Sequence, residues 1–381
     1  MVRSLFRRAL LIVAGLLVAA AGLELAVRLL QPLGVSVDRL LAPCPNIGAS
    51  TPLNHSPNVG RAQQRLGGSA VYGELAGREY EEIYDQRGIK WSALRPQDGE
   101  GVRVLFMGDS FIEGYDDANT IPQRTYEWIV EQGRLDRPLI VLNAGYSSYS
   151  PVIFTAQAKR LLPVLRPDFL VIDIDETDLY DDAVRYRGLV VHDPQGRVDR
   201  VDRSRELRSL AEGCARAGHY RLAVQRLAAT LYYQLRTARE RHERLSERLF
   251  AVATTPEGAM TPELRAQMEY FSTTLDELFA TLKQYLPAGH ILVVRHPHLW
   301  HLKTNNNGAA AWNRIVGELV GAAAARNGLT FFDAQDELEA TFAGQPERYY
   351  WNGDEHFNFD GMRAYGELVG RELLRVMRDA H

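Results

Sequence analysis

The chain has 381 residues, of which 46% are hydrophobic and 24% charged, enough apolar material to bury a full core as one large domain or two smaller ones. Its formal net charge is -4 and its basic residues are spread along the sequence, which excludes nucleic acid as an expected partner. The only cysteines are Cys44 and Cys214; one disulfide or two thiols both fit the sequence, and Cys44 is read as structural.

In chain order, Ala9 to Leu23 is an almost unbroken apolar run behind Arg3, Arg7 and Arg8, the pattern of a membrane-inserting segment with its positive end in the cytoplasm. Ala19-Ala20-Ala21 satisfies the small-residue rule of a cleaved signal peptide. Apolar character nevertheless continues through Leu25, Ala26, Val27, Leu29 and Leu30, approaching the roughly 20 residues of a spanning helix. Glu24 and Arg28 interrupt it four residues apart, where they can pair or snorkel. We read residues 1–30 as an uncleaved anchor that leaves the remainder outside the cytoplasmic membrane.

Residues 31–100, rich in Pro, Gly, Asn and Gln, read as a tether and lead-in. From Val102 the pattern alternates: strand to Met107, helix from Thr120 to Gln132, strand from Leu139 to Leu142, helix from Pro151 to Leu165, strand from Phe169 to Ile174. This βαβαβ series predicts an α/β protein with a parallel sheet covered by helices on both faces. Asp193-Pro194-Gln195-Gly196 predicts a hairpin turn between Gly188–His192 and Arg197–Val201. Helical spacing follows in Leu222, Leu227, Leu231 and Leu235, a solvated charged face over Arg236–Arg248, and a helix from Pro262 to Leu286. Residues 183–290 thus read as a mainly helical insertion within residues 101–381. The α/β pattern resumes with a strand at Ile291–Val294, a helix from Ala309 to Asn327 ended by Gly328, a strand at Leu329–Phe332 and a last helix after Phe359.

The first of these strands ends in Gly108-Asp109-Ser110-Phe111. A strand that presents a serine at its carboxyl end is how open α/β sheets expose a nucleophile, because ligands bind where strands end. Such a serine needs a base, a group that orients the base, and donors for the oxyanion. His356, in Asn352-Gly353-Asp354-Glu355-His356, lies between the last strand and the last helix, on the same sheet edge as Ser110. Asp354 is placed to hold the Nδ1 side of its ring.

Together with Asn143-Ala144-Gly145 after the second strand and the acidic turn after the third, these blocks resemble those of the SGNH/GDSL hydrolases. The resemblance covers residues 102–378; Ile83-Tyr84-Asp85-Gln86-Arg87-Gly88 also looks like the lead-in of membrane-anchored bacterial members. It implies a flavodoxin-like three-layer α/β/α fold and ester or acetyl chemistry, often on carbohydrates or lipids; no cofactor or metal is expected. It also implies an oxyanion hole formed by the N–H groups of Ser110 and Gly145. Where the family usually carries Asn as a further donor, this chain has Thr177, within Asp175-Glu176-Thr177-Asp178. The Asp two residues before the His also occurs in related polysaccharide acetyltransferases, so acyl transfer stands beside hydrolysis, and an inactive carbohydrate-binding or assembly protein is the rival reading.

Two further clusters are conspicuous. Asp173, Asp175, Glu176, Asp178, Asp181 and Asp182 are expected to scatter over different faces by strand alternation, serving solvation or helix capping rather than a metal. His296, His298 and His301 follow a strand on the active edge and are expected to line the substrate site, zinc being the minority reading.

Overall fold

A computed structural model describes residues 2–30, 60–62, 82–85, 87–133, 135–202, 222, 224–225, 228, 261–302, 307–351 and 356–380. Asp354, both cysteines, Leu227, Leu231, Leu235 and residues 236–248 lie outside the described residues. The chain divides into two compact units. One comprises Met1–Gly48, Arg65–Glu79 and Arg205–Leu245; the other comprises Ala49–Gln64, Tyr80–Ser204 and Ser246–His381.

The first unit contains helix α1 (Val2–Leu30). Its Leu11–Leu29 stretch is 19 residues long with a mean hydropathy of 2.0, apolar enough to cross a membrane, and spans about 28 Å at helical rise. Leu16, Leu17 and Val18 are exposed, while Glu24 and Arg28 pair at 2.8 Å one turn apart.

The second unit begins with two short antiparallel strands, β1 (Gly60–Ala62) and β2 (Glu82–Tyr84). Strand β3 (Val102–Met107) leads into a one-turn helix α2 (Ser110–Glu113) and then α3 (Ile121–Glu131), whose start is capped by the Thr120 hydroxyl. Next come β4 (Leu139–Asn143), α4 (Pro151–Leu165), β5 (Phe169–Asp173) and the short α5 (Thr177–Tyr180), which continues as a π-helical stretch over Asp181–Tyr186. A hairpin of β6 (Val190–His192) and β7 (Val198–Val201) turns on Asp193, whose carboxylate accepts the N–H groups of Gln195 and Arg197. The rest is α6 (Pro262–Leu282), β8 (Ile291–Arg295), α7 (Leu299–Leu302), α8 (Asn307–Asn327), β9 (Thr330–Asp333), α9 (Gln335–Phe342) and α10 (Phe359–Asp379).

Five strands form one parallel sheet in the order β4-β3-β5-β8-β9. Successive side chains on a strand point to opposite faces, and the two faces here are both packed. Leu105, Met107, Leu170, Ile172, Ile291 and Val293 meet α4, α6 and α8, whereas Val104, Phe106, Phe169, Val171, Leu292 and Val294 meet α3, α9 and α10. The fold is therefore the expected three-layer α/β/α arrangement. Helix α6, read from sequence as part of an insertion, is a member of one of the two covering layers, because Phe271, Leu275, Leu278 and Leu282 present a continuous buried stripe.

The strand order has one reversal. From β3 the chain moves outward to β4 and then returns across β3 to β5, so the loops after β3 and β5 diverge to opposite sides and leave a crevice between them. Ligands of open α/β sheets bind at such switch points, outside the carboxyl ends of the strands.

Candidate active site

Ser110 stands at that reversal. Met107 is the last residue of β3, Gly108 and Asp109 make the turn, and the Asp109 carboxylate caps α2 by accepting the Phe111 N–H at 2.9 Å. Gly108 is required by space: a Cβ there would come within 2.4 Å of the Ile112 side chain. The partly exposed Ser110 Oγ lies 2.8 Å from His356 Nε2, although the two residues are 246 positions apart. The Phe111 ring stacks on the His356 ring with centroids 4.7 Å apart, which fixes the plane of the imidazole. Asn358 caps α10 directly behind this loop by accepting the N–H groups of Asp360 and Gly361.

Ser110 and His356 are thus brought together. The other two expected oxyanion donors are engaged. The Gly145 N–H donates to Asn143 Oδ1 at 2.9 Å. The Thr177 N–H and hydroxyl both donate to Asp175 Oδ1, at 2.8 and 2.7 Å. Ser110, as the first residue of α2, has a backbone N–H that no residue within the helix can accept.

The loop after β4 is held against α2 by residues that carry no motif. Asn143 Nδ2 donates to the Ile112 carbonyl at 2.9 Å. Glu113, only 6% exposed, accepts from Tyr84 Oη at 2.6 Å on one carboxylate oxygen and from the Ser147 N–H and hydroxyl on the other. Lys90 Nζ donates to the carbonyls of Glu113 and Tyr115. The buried lead-in residues Tyr84 and Lys90 therefore brace the helix that carries Ser110. Ser148 in this loop has a φ of 61°, a left-handed conformation that costs a serine about 1 kcal/mol.

Of the six acidic residues at and after the end of β5, five are buried rather than solvated; Asp181 stays partly exposed beside Arg185, and Asp182 takes the expected capping role by accepting the Val152 N–H at the start of α4. Strand geometry ends at Asp173, so alternation no longer sets the direction of the later side chains, and the first turn of α5 folds inward; Asp173, Asp175, Glu176, Asp178 and Asp182 are all buried. The histidines after β8 are buried too, which corrects their expected place on the substrate surface: His296 is 0%, His298 2% and His301 3% exposed. His296 Nδ1 lies 3.1 Å from both Asp173 oxygens, and His298 Nε2 lies 2.7 Å from Asp175 Oδ2. Glu176 accepts the Trp312 indole N–H at 2.9 Å and sits 3.6 Å from His301 Nε2.

This packing shifts the acids in opposite directions. Burial opposes ionisation of Asp175, but the charge and hydrogen bond of His298, aided by His296 and the Thr177 hydroxyl, outweigh it and hold the carboxyl below its usual range. Burial and the nearby Asp175 charge push Asp109 up to about 7, and burial pushes Asp182 up to about 8 against the hydrogen bonds from Ser150 and Val152. An unfolded chain releases such protons near pH 4. The folded chain keeps them longer, so the contribution of these two groups to stability falls as pH rises from about 4 to about 8, while His301, which burial lowers to about 4, contributes in the opposite sense up to about pH 6.5. Asp182→Asn, a neutral isostere, is expected to remove its share, at most about 4 kcal/mol between about pH 5 and about pH 8. Melting curves at the two pH values check this; an unchanged wild-type pH slope in the variant would refute it.

No family model matches the chain, and no curated protein matches it. Among solved structures it is similar to LAE5, an alpha/beta hydrolase enzyme from the metagenome of Lake Arreo, at 13% identity over 73% of this chain and 98% of that one, with a TM-score of 0.41. It is similar also to Axe2, an acetylxylan esterase from Geobacillus stearothermophilus, at 14% identity over 74% and 95% of the two chains with a TM-score of 0.41. A third is the lipase/acylhydrolase from Enterococcus faecalis, at 12% identity over 71% and 95% with a TM-score of 0.39. Likenesses this distant assign neither substrate nor catalytic residues, and the chemistry of the site rests on its own geometry.

Proposed function

We propose that the chain is a serine-dependent hydrolase of SGNH type that cleaves an O-acyl ester, with O-acetyl groups of a carbohydrate or lipid as the substrate class. The supporting observation is the 2.8 Å approach of Ser110 Oγ to His356 Nε2 at the switch point of the sheet. Neutral His356, protonated on Nδ1, takes the Ser110 proton on Nε2 as Oγ attacks the ester carbonyl. The tetrahedral intermediate collapses when His356 returns that proton to the departing alcohol oxygen, leaving an acyl-serine. Water, activated by the same nitrogen, then releases the acid; a sugar hydroxyl in place of water makes the reaction an acyl transfer. Asp354 is assigned to orient Nδ1, and the Ser110 N–H to the oxyanion. Gly145 and Thr177 join the oxyanion hole only if substrate draws their N–H or hydroxyl away from Asn143 and Asp175. Helix α1 is assigned as a single membrane anchor that holds the catalytic unit on the periplasmic or outer side.

Full-length protein in detergent is expected to hydrolyse a short-chain aryl acetate, with product analysis in the presence of an oligosaccharide acceptor separating hydrolysis from transfer. Absence of either product with folded protein would overturn the reading. The engagement of Gly145 and Thr177 favours one rival, a carbohydrate-binding protein without turnover, which predicts saccharide binding that survives Ser110→Ala.

A further inference from the structure

We propose that Asp175, His296 and His298 form a binding site for one first-row divalent metal ion of the zinc class, set one side chain behind Ser110. The three residues lie in the loops that follow neighbouring parallel strands: β5 ends at Asp173, two residues before Asp175, and β8 ends at Arg295, directly before His296, with His298 two residues on. One donor atom from each lies within 4.8 Å of the other two. Asp175 Oδ2 is 2.7 Å from His298 Nε2 and 3.8 Å from His296 Nε2. A tetrahedral ion with bonds of about 2.0–2.2 Å holds its ligand atoms about 3.3 Å apart, so the two spacings need to change by only about half an ångström each.

The surrounding groups are arranged as those around metal ligands are. The Asp173 carboxylate lies 3.1 Å from His296 Nδ1, the arrangement that orients metal-binding histidines, so Nε2 is the ring nitrogen turned toward the cluster. Among the described residues that nitrogen has no hydrogen-bond partner; it is fully buried and faces the Asp175 carboxylate. A metal ion between Nε2 and the Asp175 carboxylate would give this nitrogen the partner it lacks. Asp175 is divided in the same way: Oδ1 is saturated by the two donors of Thr177, and Oδ2 is the oxygen turned to the histidines. Thr177 thereby has an account that its expected oxyanion role did not supply, as the group that orients a ligand carboxylate. Asp173 and Glu176, both buried beside the cluster, add carboxylates whose charge a dication would offset. The Phe111 ring, with its centroid 4.0 Å from that of His296 and 4.7 Å from that of His356, separates this site from the nucleophile. The site is structural in this reading and does not depend on the role of Ser110.

The test is titration of chelator-treated, folded full-length protein with cobalt(II), followed by zinc displacement and metal analysis. One ion per chain with the visible spectrum of a tetrahedral cobalt centre is expected. Asp175→Asn and His296→Gln should weaken binding by at least about 100-fold, Asp173→Asn by about 10- to 100-fold, and Ser110→Ala not at all. Should ligand variants fail to fold, Asp173→Asn and the wild-type spectrum carry the test. Folded wild-type protein that takes up neither cobalt nor zinc, or uptake undiminished in the folded variants, would overturn the proposal.

Discussion

Ser110→Ala is expected to lower ester turnover by about 10⁴- to 10⁶-fold while leaving the protein folded. The serine is partly exposed at the start of a one-turn helix, so removal of its hydroxyl disturbs little packing. It does remove the atom proposed to form the bond to the acyl carbon. His356→Ala should cost a similar factor, and the double variant little more than either alone, because nucleophile and base act as one unit. Kinetics of the three variants, with melting temperatures to confirm folding, check this. Additive losses would mean that the 2.8 Å contact between the two side chains is not the catalytic unit.

Gly145→Ala carries the second large effect. A Cβ at this position would lie 2.4 Å from the Glu113 nitrogen and 2.7 Å from the Ile112 carbonyl carbon, backbone atoms of the helix that begins at Ser110. Those atoms cannot rotate away, so α2 must shift relative to β4. Displacing reacting groups by about 1 Å costs on the order of 100-fold in turnover, and the overpacking destabilises the fold by about 1–3 kcal/mol. Alanine keeps the backbone N–H, so such a loss reports close packing of α2 and not a missing oxyanion donor. Turnover and melting temperature at wild-type values would show that α2 is not pressed against this loop.

The range of the interactions separates the features that the sequence disclosed from those it withheld. The strands from Val102 to Phe332 and the helices between them were legible because apolar runs and periodicity are local signals. Pro151–Leu165 appears with its expected bounds, and Asp193 makes the expected hairpin turn. Ser110 and His356 were legible as motifs at strand and helix ends, and the sheet order brings them to one edge. The contact between His298 and Asp175, 123 residues apart, was not legible, since it depends on how β5 registers against β8. Extending strand alternation past Asp173 led to the wrong faces for the acids, because the chain has already left the sheet there. The clasp of Glu113 by Tyr84 and Ser147 had no local signal either: an acidic residue in a short turn gives no sign that its carboxylate is buried among donors from two distant segments.

These observations assign separate tasks to the loops at the switch point. The loop after β3 presents Ser110, the loop after β4 braces the helix that begins there through Asn143 and Glu113, and those after β5 and β8 gather acids and histidines behind it. The most direct test of the central claim is reaction of full-length protein with a fluorophosphonate, followed by peptide mapping. The account predicts a single covalent adduct on Ser110, absent from Ser110→Ala and strongly slowed in His356→Ala. Folded wild-type protein that forms no adduct, or forms it at another residue, would contradict it.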